Sequence, residues 1–360
     1  MPTFNIIKEV KPKQTFRVAS VIGKFDIQSE HIVEQFEGNI DLSNDWQIGL
    51  IVGKSGTGKT TIAKQLFPES YITNYDYKEE TVLDDMPKNC SVDEITQAFN
   101  SVGFSSPPSW LKPYSVLSNG QKMRVDLARA ILENQDLFVF DEFTSVVDRQ
   151  VAQVGSFAMQ KAIRKTKKQF IAISCHFDII DWLLPDWIFN TDTMTFQSLE
   201  GQKKNRPEIK FEIFNTKDKG IWKMFSRHHY LSHSHNNAAN VFVVIINNDI
   251  AGFISVLHLP NKCPNIKKVH RLVVLPDYQG IGIGLKLLNE IGYIYKKDKW
   301  RFTITTSSVS LINSLKKNKN WNCNSFGRGG GNKGLKEMVK TEAKNRLIAS
   351  FELKYQKSTL

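Results

Sequence analysis

The sequence predicts an α/β fold in two parts, and three observations carry the prediction. Short apolar stretches alternate with amphipathic ones, which is the pattern of a mostly parallel sheet covered by helices. Two glycine-rich turns, at residues 53–60 and 279–284, each follow a strand-like segment and precede a helix-like one. Between them, Glu200-Gly201-Gln202-Lys203-Lys204-Asn205-Arg206-Pro207 is polar, charged and proline-ended, so it reads as a boundary. The expected organisation is a first domain over 1–200, a linker over 201–207 and a second domain over 208–360. With 41% hydrophobic residues, 360 residues suffice for two cores of ordinary size.

Taken in order, Phe16 to Asp26 mixes β-branched and aromatic residues with polar ones and reads as strand material. Ile48 to Val52 is a short apolar strand that ends at the first glycine turn. From Thr61, the helical spacing of Ile62, Ala63, Leu66 and Phe67 predicts a helix stopped by Pro68. Ser118 opens another, with Met123, Leu127, Ala130 and Ile131 as its apolar stripe. Leu137 to Phe140 and Phe170 to Ser174 read as buried strands separated by an amphipathic helix. Beyond the boundary, Ile209, Phe211 and Ile213 alternate as a strand. Val241 to Ile246 and Ala251 to Leu257 flank a hairpin turn, Asn247-Asn248-Asp249. A strand at Val269 to Leu275, a helix at Gly284 to Tyr295, and strands at Phe302 to Thr306 and Leu347 to Leu353 complete the set.

Charge is distributed unevenly. Residues 1–200 hold 20 Lys and Arg against 26 Asp and Glu, a net −6, whereas residues 201–360 hold 28 against 10, a net +18. The basic half is expected to attract a polyanion, nucleic acid among them, although charge alone does not choose the partner. Cys90, Cys175, Cys263 and Cys323 lack paired spacing, which fits neither a disulfide framework nor a zinc ribbon and implies reduced thiols. No stretch approaches the ~20 apolar residues of a membrane helix. A cytoplasmic protein without its own membrane domain is expected.

Gly53-Lys54-Ser55-Gly56-Thr57-Gly58-Lys59-Thr60 fits the phosphate-loop pattern at every defined position. Its glycines let backbone N–H groups converge on phosphate oxygens at a helix N-terminus, with Thr61 following. Lys59 is placed to reach the β and γ phosphates and Thr60 to ligate Mg²⁺. Asp141 and Glu142 end an apolar strand, where one carboxylate can hold Mg²⁺ and its neighbour can orient or deprotonate water. Leu117-Ser118-Asn119-Gly120-Gln121 lies between these two motifs.

This ordered set resembles the ATP-binding-cassette (ABC) ATPase family over roughly Thr15 to Asp192. The resemblance implies a homodimer in which Ser118 and Gly120 of one copy contact the γ-phosphate bound by the other. It also implies that Ser145 to Asp148 contact the second copy, that His176 is the switch histidine, and that Phe25 stands where an adenine-stacking aromatic is expected. Asn119 replaces the usual first glycine of the signature pair, and Lys59 is only 59 residues from Ser118, which resembles a trimmed helical subdomain. The glutamine expected between the motifs is not evident; Asp84-Asp85 occupies its place.

The second turn, Gln279-Gly280-Ile281-Gly282-Ile283-Gly284, again offers N–H groups at a helix N-terminus to a pyrophosphate. Leu285 stands where a dinucleotide fingerprint needs another glycine. The turn, with the strand and Pro276 before it, resembles the coenzyme A loop of the GNAT acyltransferase superfamily over roughly Ile209 to Leu353. That resemblance implies a mixed α/β fold and an acyl-CoA such as acetyl-CoA. The backbone of Leu272, Val273 and Val274 would bind the pantetheine arm, and Gln279 to Gly284 the pyrophosphate. His228, His229 and Tyr230 lie where the family lines the acceptor side, and His270 borders the coenzyme strand. Trp321, Phe326, Arg328 and Lys333 gather aromatics and cations near Gly329 to Gly331, a composition suited to base stacking. The expected function is an ATPase coupled to a CoA-dependent N-acyltransferase whose acceptor is nucleic acid or a protein amine. The alternative is an ATP-switched nucleic-acid clamp with a non-catalytic CoA-binding-like domain.

Overall fold

Alternation of strand and helix organises the chain. The computed structural model describes residues 3–10, 13, 15–27, 32–200, 209–229, 234–259, 265–328 and 346–354. Its elements begin β1 (Thr3–Val10), α1 (Phe16–Phe25), β2 (Ile32–Asn39), β3 (Ile48–Val52), α2 (Lys59–Leu66) and β4 (Tyr71–Ile72). Three helices follow: α3 (Val92–Ser101), α4 (Pro107–Trp110) and α5 (Asn119–Leu132). Next come β5 (Leu137–Phe140), α6 (Arg149–Ile163), β6 (Gln169–Ser174), α7 (Ile180–Leu183), β7 (Trp187–Asn190) and β8 (Thr195–Ser198). Then come β9 (Glu212–Thr216), α8 (Trp222–Ser226), β10 (Asn240–Ile246), β11 (Asp249–Leu259) and β12 (Ile266–Val274). The described chain closes with α9 (Ile283–Lys297), β13 (Arg301–Thr306), α10 (Val309–Lys317), β14 (Trp321–Arg328) and β15 (Leu347–Leu353).

These elements form two compact units: residues 1–76 with 133–207, and residues 77–132 with 208–360. The first unit holds a sheet in the order β4-β5-β6-β3-β7-β8, parallel except for β8, beside an antiparallel β1–β2 hairpin. Every residue of β3 is buried, as its unbroken apolar sequence requires for a central strand. Its core joins Phe4 and Phe36 of the hairpin to Ile51, Ile62, Val139, Ile173 and Phe189.

The second unit holds a sheet in the order β14-β15-β13-β12-β11-β10-β9, antiparallel except for the β12–β13 pair. Residues 77–132 belong to the same unit, with α3 packed on α5. The linker expected at 201–207 lies outside the described residues.

One element differs in kind from its expectation. Phe16–Phe25 is a helix, whose first turn is capped by the Thr15 hydroxyl accepting from the Val18 amide at 3.3 Å. It ends at Asp26 with φ 49°, and no residue in it is buried. Its β-branched and aromatic content reflects an exposed helix surface, with Phe16 88% and Phe25 68% exposed.

Candidate functional site

In the first unit, β5, β6 and β3 are adjacent parallel strands, so their C-terminal ends share one edge of the sheet. The phosphate loop follows β3, Asp141 and Glu142 follow β5, and His176 follows β6 by two residues. Motifs more than 80 residues apart in sequence are thereby brought to one edge, where open α/β sheets collect their ligands. Gly56 and Gly58 both have φ 85°, the left-handed region that suits glycine. Gly58 caps α2, and a Cβ there would stand 2.4 Å from the Phe36 ring, so only glycine lets the loop pack on that aromatic. Phe36 was not anticipated from sequence. Phe25, the expected stacking aromatic, lies exposed in the last turn of α1 beneath the Lys24 ammonium.

The loop is braced from within and from β7. The Lys59 ammonium donates to the carbonyls of Gly53 at 2.7 Å and Lys54 at 2.6 Å. The Lys54 amide donates to Asp192 Oδ1 at 2.7 Å, and the Thr57 and Thr191 hydroxyls share a hydrogen bond of 2.5 Å. Opposite, Asp141 Oδ2 accepts from Thr60 Oγ1 at 2.8 Å and from the Tyr71 hydroxyl. Burial, then the hydrogen bond to Asp141, pushes the Tyr71 phenol far above its ordinary pKa, so it remains a donor. Thr60 Oγ1 and the Asp141 carboxylate are adjacent hard oxygen donors beside a phosphate loop, a set that fits Mg²⁺.

Glu142 is exposed and has φ 50°, while buried Thr144 has φ 70° with its hydroxyl unpartnered. Two side-chain-bearing residues in the left-handed region, one of them β-branched, concentrate strain in the turn that presents Glu142. Asp148 caps α6 by accepting from the Gln150 and Val151 amides, both at 3.0 Å, which fixes the segment Ser145 to Asp148. His176 is half-buried, and its amide donates to Ser174 Oγ at 3.1 Å.

Ser118 and Gly120 belong to the second unit. Ser118 is exposed, and its hydroxyl accepts from the Gln121 amide at 3.4 Å at the start of α5. Asp84 and Asp85 are occupied locally: Asp85 Oδ1 accepts from the Lys78 and Glu79 amides, and Asp84 Oδ2 accepts from Thr81 Oγ1. Their carboxylates fold a turn.

The second candidate site forms where β12 leaves β13. These strands pair only from Ile266 to Lys268, although β12 continues to Val274, so Leu272 and Val273 lie beyond the paired stretch. Gly280 and Gly282 have φ 88° and 95°, and a Cβ on Gly282 would meet nothing within 4 Å. Gly282 caps α9 without a side-chain acceptor, so the first amides of this 15-residue helix have no side-chain cap. The Gln279 side chain donates from Nε2 to the Val274 carbonyl at 2.9 Å and accepts at Oε1 from the Ser105 amide at 2.9 Å. Both groups are thus engaged in holding the turn.

Of the expected acceptor-side residues, Tyr230 lies outside the described residues, as do Gly329 to Gly331 and Lys333. His229 packs edge-on to Trp222 at 5.8 Å. His270 lies 5.6 Å from His235, which also contacts Trp222 and Phe253. His235 was missed because a histidine between two serines and two asparagines reads as loop. Burial, reinforced by Lys219 and Arg271, lowers its pKa, and both ring nitrogens are buried without a hydrogen-bond partner. Burial with Arg271 nearby depresses His270 to about 4, and its Nε2 accepts from the Asn236 amide at 3.2 Å. His228 is also lowered, first by burial and then by Arg227, whose Nε donates to its Nε2 at 3.1 Å.

Comparison with known proteins finds two matching family models. Residues 65–145 match the family model described as ABC transporter, and residues 237–320 match the one described as acetyltransferase (GNAT) domain. The chain is thus similar to an ABC transporter ATPase over residues 65–145 and to a GNAT acetyltransferase domain over residues 237–320. A zinc import ATP-binding protein, ZnuC, of Chromohalobacter salexigens is 31% identical over 126 residues, covering 29% of this chain and 52% of that protein. The chain thus spans about half the length of that curated relative. Among solved structures, an ATP-binding cassette in a dimeric post-hydrolysis state bound to ADP and Pi is similar at 13% identity and a TM-score of 0.38. That likeness covers 49% of this chain and 94% of the cassette. An IAA acetyltransferase from Bacillus cereus is similar at 18% identity and a TM-score of 0.31, covering 41% and 100%. Among the described residues, no helix is long and apolar enough to cross a membrane.

Proposed function

We propose that this chain is an ATP-hydrolysing ABC-type ATPase coupled to a CoA-dependent N-acyltransferase, acting as a homodimer. The observation that carries the reading is a repeated device: a left-handed glycine, Gly58 or Gly282, caps the helix that follows a strand and a short loop, α2 after β3 and α9 after β12. Each opens a helix N-terminus to a polyphosphate, one of ATP and the other of acyl-CoA.

In the ATPase part, the amides of Gly56 to Thr61 and the Lys59 ammonium take the phosphates. Thr60 and Asp141 would hold Mg²⁺, which when bound screens phosphate charge. Glu142 orients the attacking water and accepts its proton, and His176 donates toward the γ-phosphate. Ser118 and Gly120 of a second copy complete the site, so each protomer alone has half. In the transferase part, an acceptor amine attacks the thioester carbonyl. A C–N bond forms, the C–S bond breaks, and the CoA thiolate leaves with the proton the amine gives up. His235, whose pKa burial lowers, lies 5.6 Å from His270 and supplies the imidazole through which that proton passes to the departing thiolate.

The test incubates the full chain with acetyl-CoA labelled in the acetyl group, together with nucleic acid or protein and with or without ATP. Transfer of label to a macromolecule with release of CoA is expected; absence of both transfer and CoA binding overturns the transferase reading. Glu142→Gln is expected to retain ATP, hydrolyse it roughly 10²-fold or more slowly and accumulate dimer on a sizing column. Unchanged turnover removes Glu142 from its role.

A further inference from the structure

Arg124 is the largest fully buried side chain of the described protein, 1% exposed in the middle of α5. Its guanidinium Nη1 donates to the carbonyl of Pro276 at 2.5 Å, and Nη2 donates to that of Asp277 at 3.1 Å. Desolvating a guanidinium is costly, so the partners that a buried one does have weigh heavily in its placement. Here it is spent on two backbone carbonyls of the turn between β12 and the glycine loop. A second tie runs beside it: the Ser105 amide donates to Gln279 Oε1, and Gln279 Nε2 holds the Val274 carbonyl. A third is steric. Gly103 has φ 84°, and a Cβ on it would lie 2.7 Å from the Gln279 carbonyl oxygen, so backbone meets backbone there.

These contacts lie within one compact unit and join residues 103–124 to residues 274–279. The same helix begins at the signature residues Ser118 and Gly120, under two turns before Arg124. A rigid helix therefore carries the ATP-contacting signature at its start and the clamp on the acyl-CoA turn at its middle.

We propose that Arg124 is a positioning residue for the acyl-CoA turn, and that through it ATP bound by one protomer sets the acyl-CoA affinity of the partner whose Ser118 engages that ATP. This deepens the functional reading above and rests on it. Arg124 touches neither substrate; it fixes the carbonyls of Pro276 and Asp277, and so the aim of the Gly280 to Gly284 amides. Gly280 and Gly282 of that turn have left-handed φ values, so its shape depends on what holds it from outside. Thermodynamic linkage requires reciprocity: a nucleotide that changes CoA affinity by some factor has its own affinity changed by CoA through the same factor.

The experiment uses the full-length protein and isothermal titration. The CoA dissociation constant is measured with and without a non-hydrolysable ATP analogue plus Mg²⁺, and the analogue's constant with and without CoA. The wild type is expected to show equal reciprocal shifts of about fivefold or more. Arg124→Met is expected to bind the analogue alone with unchanged affinity but to lose the reciprocal shift, whereas Arg124→Lys, keeping one donor group, recovers part of it. If Arg124→Met does not fold, Gln279→Met decides, since it removes the neighbouring tie at a partly exposed turn and is expected to reduce the shift as well. Wild type that binds both ligands independently overturns this inference and leaves the functional reading standing. Retention of the full shift in a folded Arg124→Met, or in Gln279→Met, also overturns it. Failure of the wild type to bind CoA at all overturns both.

Discussion

At the scale of single residues, protonation decides which groups can act. Asp141 accepts from Thr60 and from Tyr71, and the raised pKa of Tyr71 keeps that phenol a donor. Removing the metal with a chelator is expected to weaken ATP binding and abolish hydrolysis in the wild type. In Asp141→Asn, ATP affinity measured with and without Mg²⁺ is expected to converge, within about threefold, because the carboxylate proposed to hold Mg²⁺ has lost its charge. Equal Mg²⁺ dependence in both proteins would move the metal site elsewhere. His270 supplies a second case. Burial holds it to about 4 against an ordinary value near 6.5, so the unfolded chain binds the extra proton between those limits. The neutral ring contributes stability that is fully present above about pH 6.5 and is lost as pH falls toward 4. Denaturation midpoints of His270→Gln should therefore fall less steeply than wild type across that window. Parallel acid limbs would contradict the assignment.

At the scale of elements, the strands and helices with strong periodicity were legible, and so was the placement of the glycine turns and the Asp141-Glu142 pair at their ends. β3, α2, β5, β6, β12 and α9 follow from apolar runs and glycine turns, since burial on two faces leaves little freedom of sequence. α1 was misread because aromatic and β-branched residues on an exposed helix imitate a strand. β14 was invisible because Asn322, Cys323, Asn324 and Ser325 are all exposed on an edge strand, with no buried face to impose alternation. The ties between α5 and the turn at residues 276–279 were hidden for a different reason: Arg124 reads as an ordinary helix cation, and its hydrogen-bond acceptors lie more than 150 positions away. The same helix holds Asp126, which accepts from Tyr77 at 2.7 Å and Tyr114 at 2.8 Å while those rings stack. Burial outweighs both hydrogen bonds and raises Asp126 to about 6. The sign is opposite to that of His270: the folded state binds the extra proton, so this stability is present below about pH 3.8 and declines as pH rises through 6. Asp126→Asn should gain melting temperature relative to wild type as pH is raised from 4 to 7, and a pH-independent difference would exclude Asp126 as the titrating group. Packing offers a further check in α9, where a Cβ on Gly292 would stand 2.6 Å from Leu353 and 2.9 Å from Phe302. Gly292→Ala is expected to destabilise the second unit by about 1–3 kcal/mol through overpacking, read as a lower denaturant midpoint at unchanged slope.

At the scale of the whole molecule, charge and architecture limit how a polyanion partner can be tested. The excess of +18 lies in residues 201–360, but residues 77–132 share a compact unit with residues 208–360. Truncation at 208 would therefore strip buried Arg124 of its acceptors as well as remove the basic surface. Binding lost by such a fragment would not identify the contact. Charge substitutions in the full chain avoid that confusion. Lys317 and Lys319, at the end of α10 and in the loop after it, carry no ion pair among the described residues. Replacing both by Gln removes two charges without touching a core. If a nucleic acid lies across this face, log affinity should fall linearly with log salt concentration, and each lost phosphate contact should reduce the slope by about 1. Lys317→Gln with Lys319→Gln is thus expected to lower the slope by about 2 and to weaken binding similarly for different sequences, because phosphate contacts carry no base information. An unchanged slope would place the polyanion elsewhere on the molecule, and a wild-type affinity insensitive to salt would mean that the basic half serves another purpose.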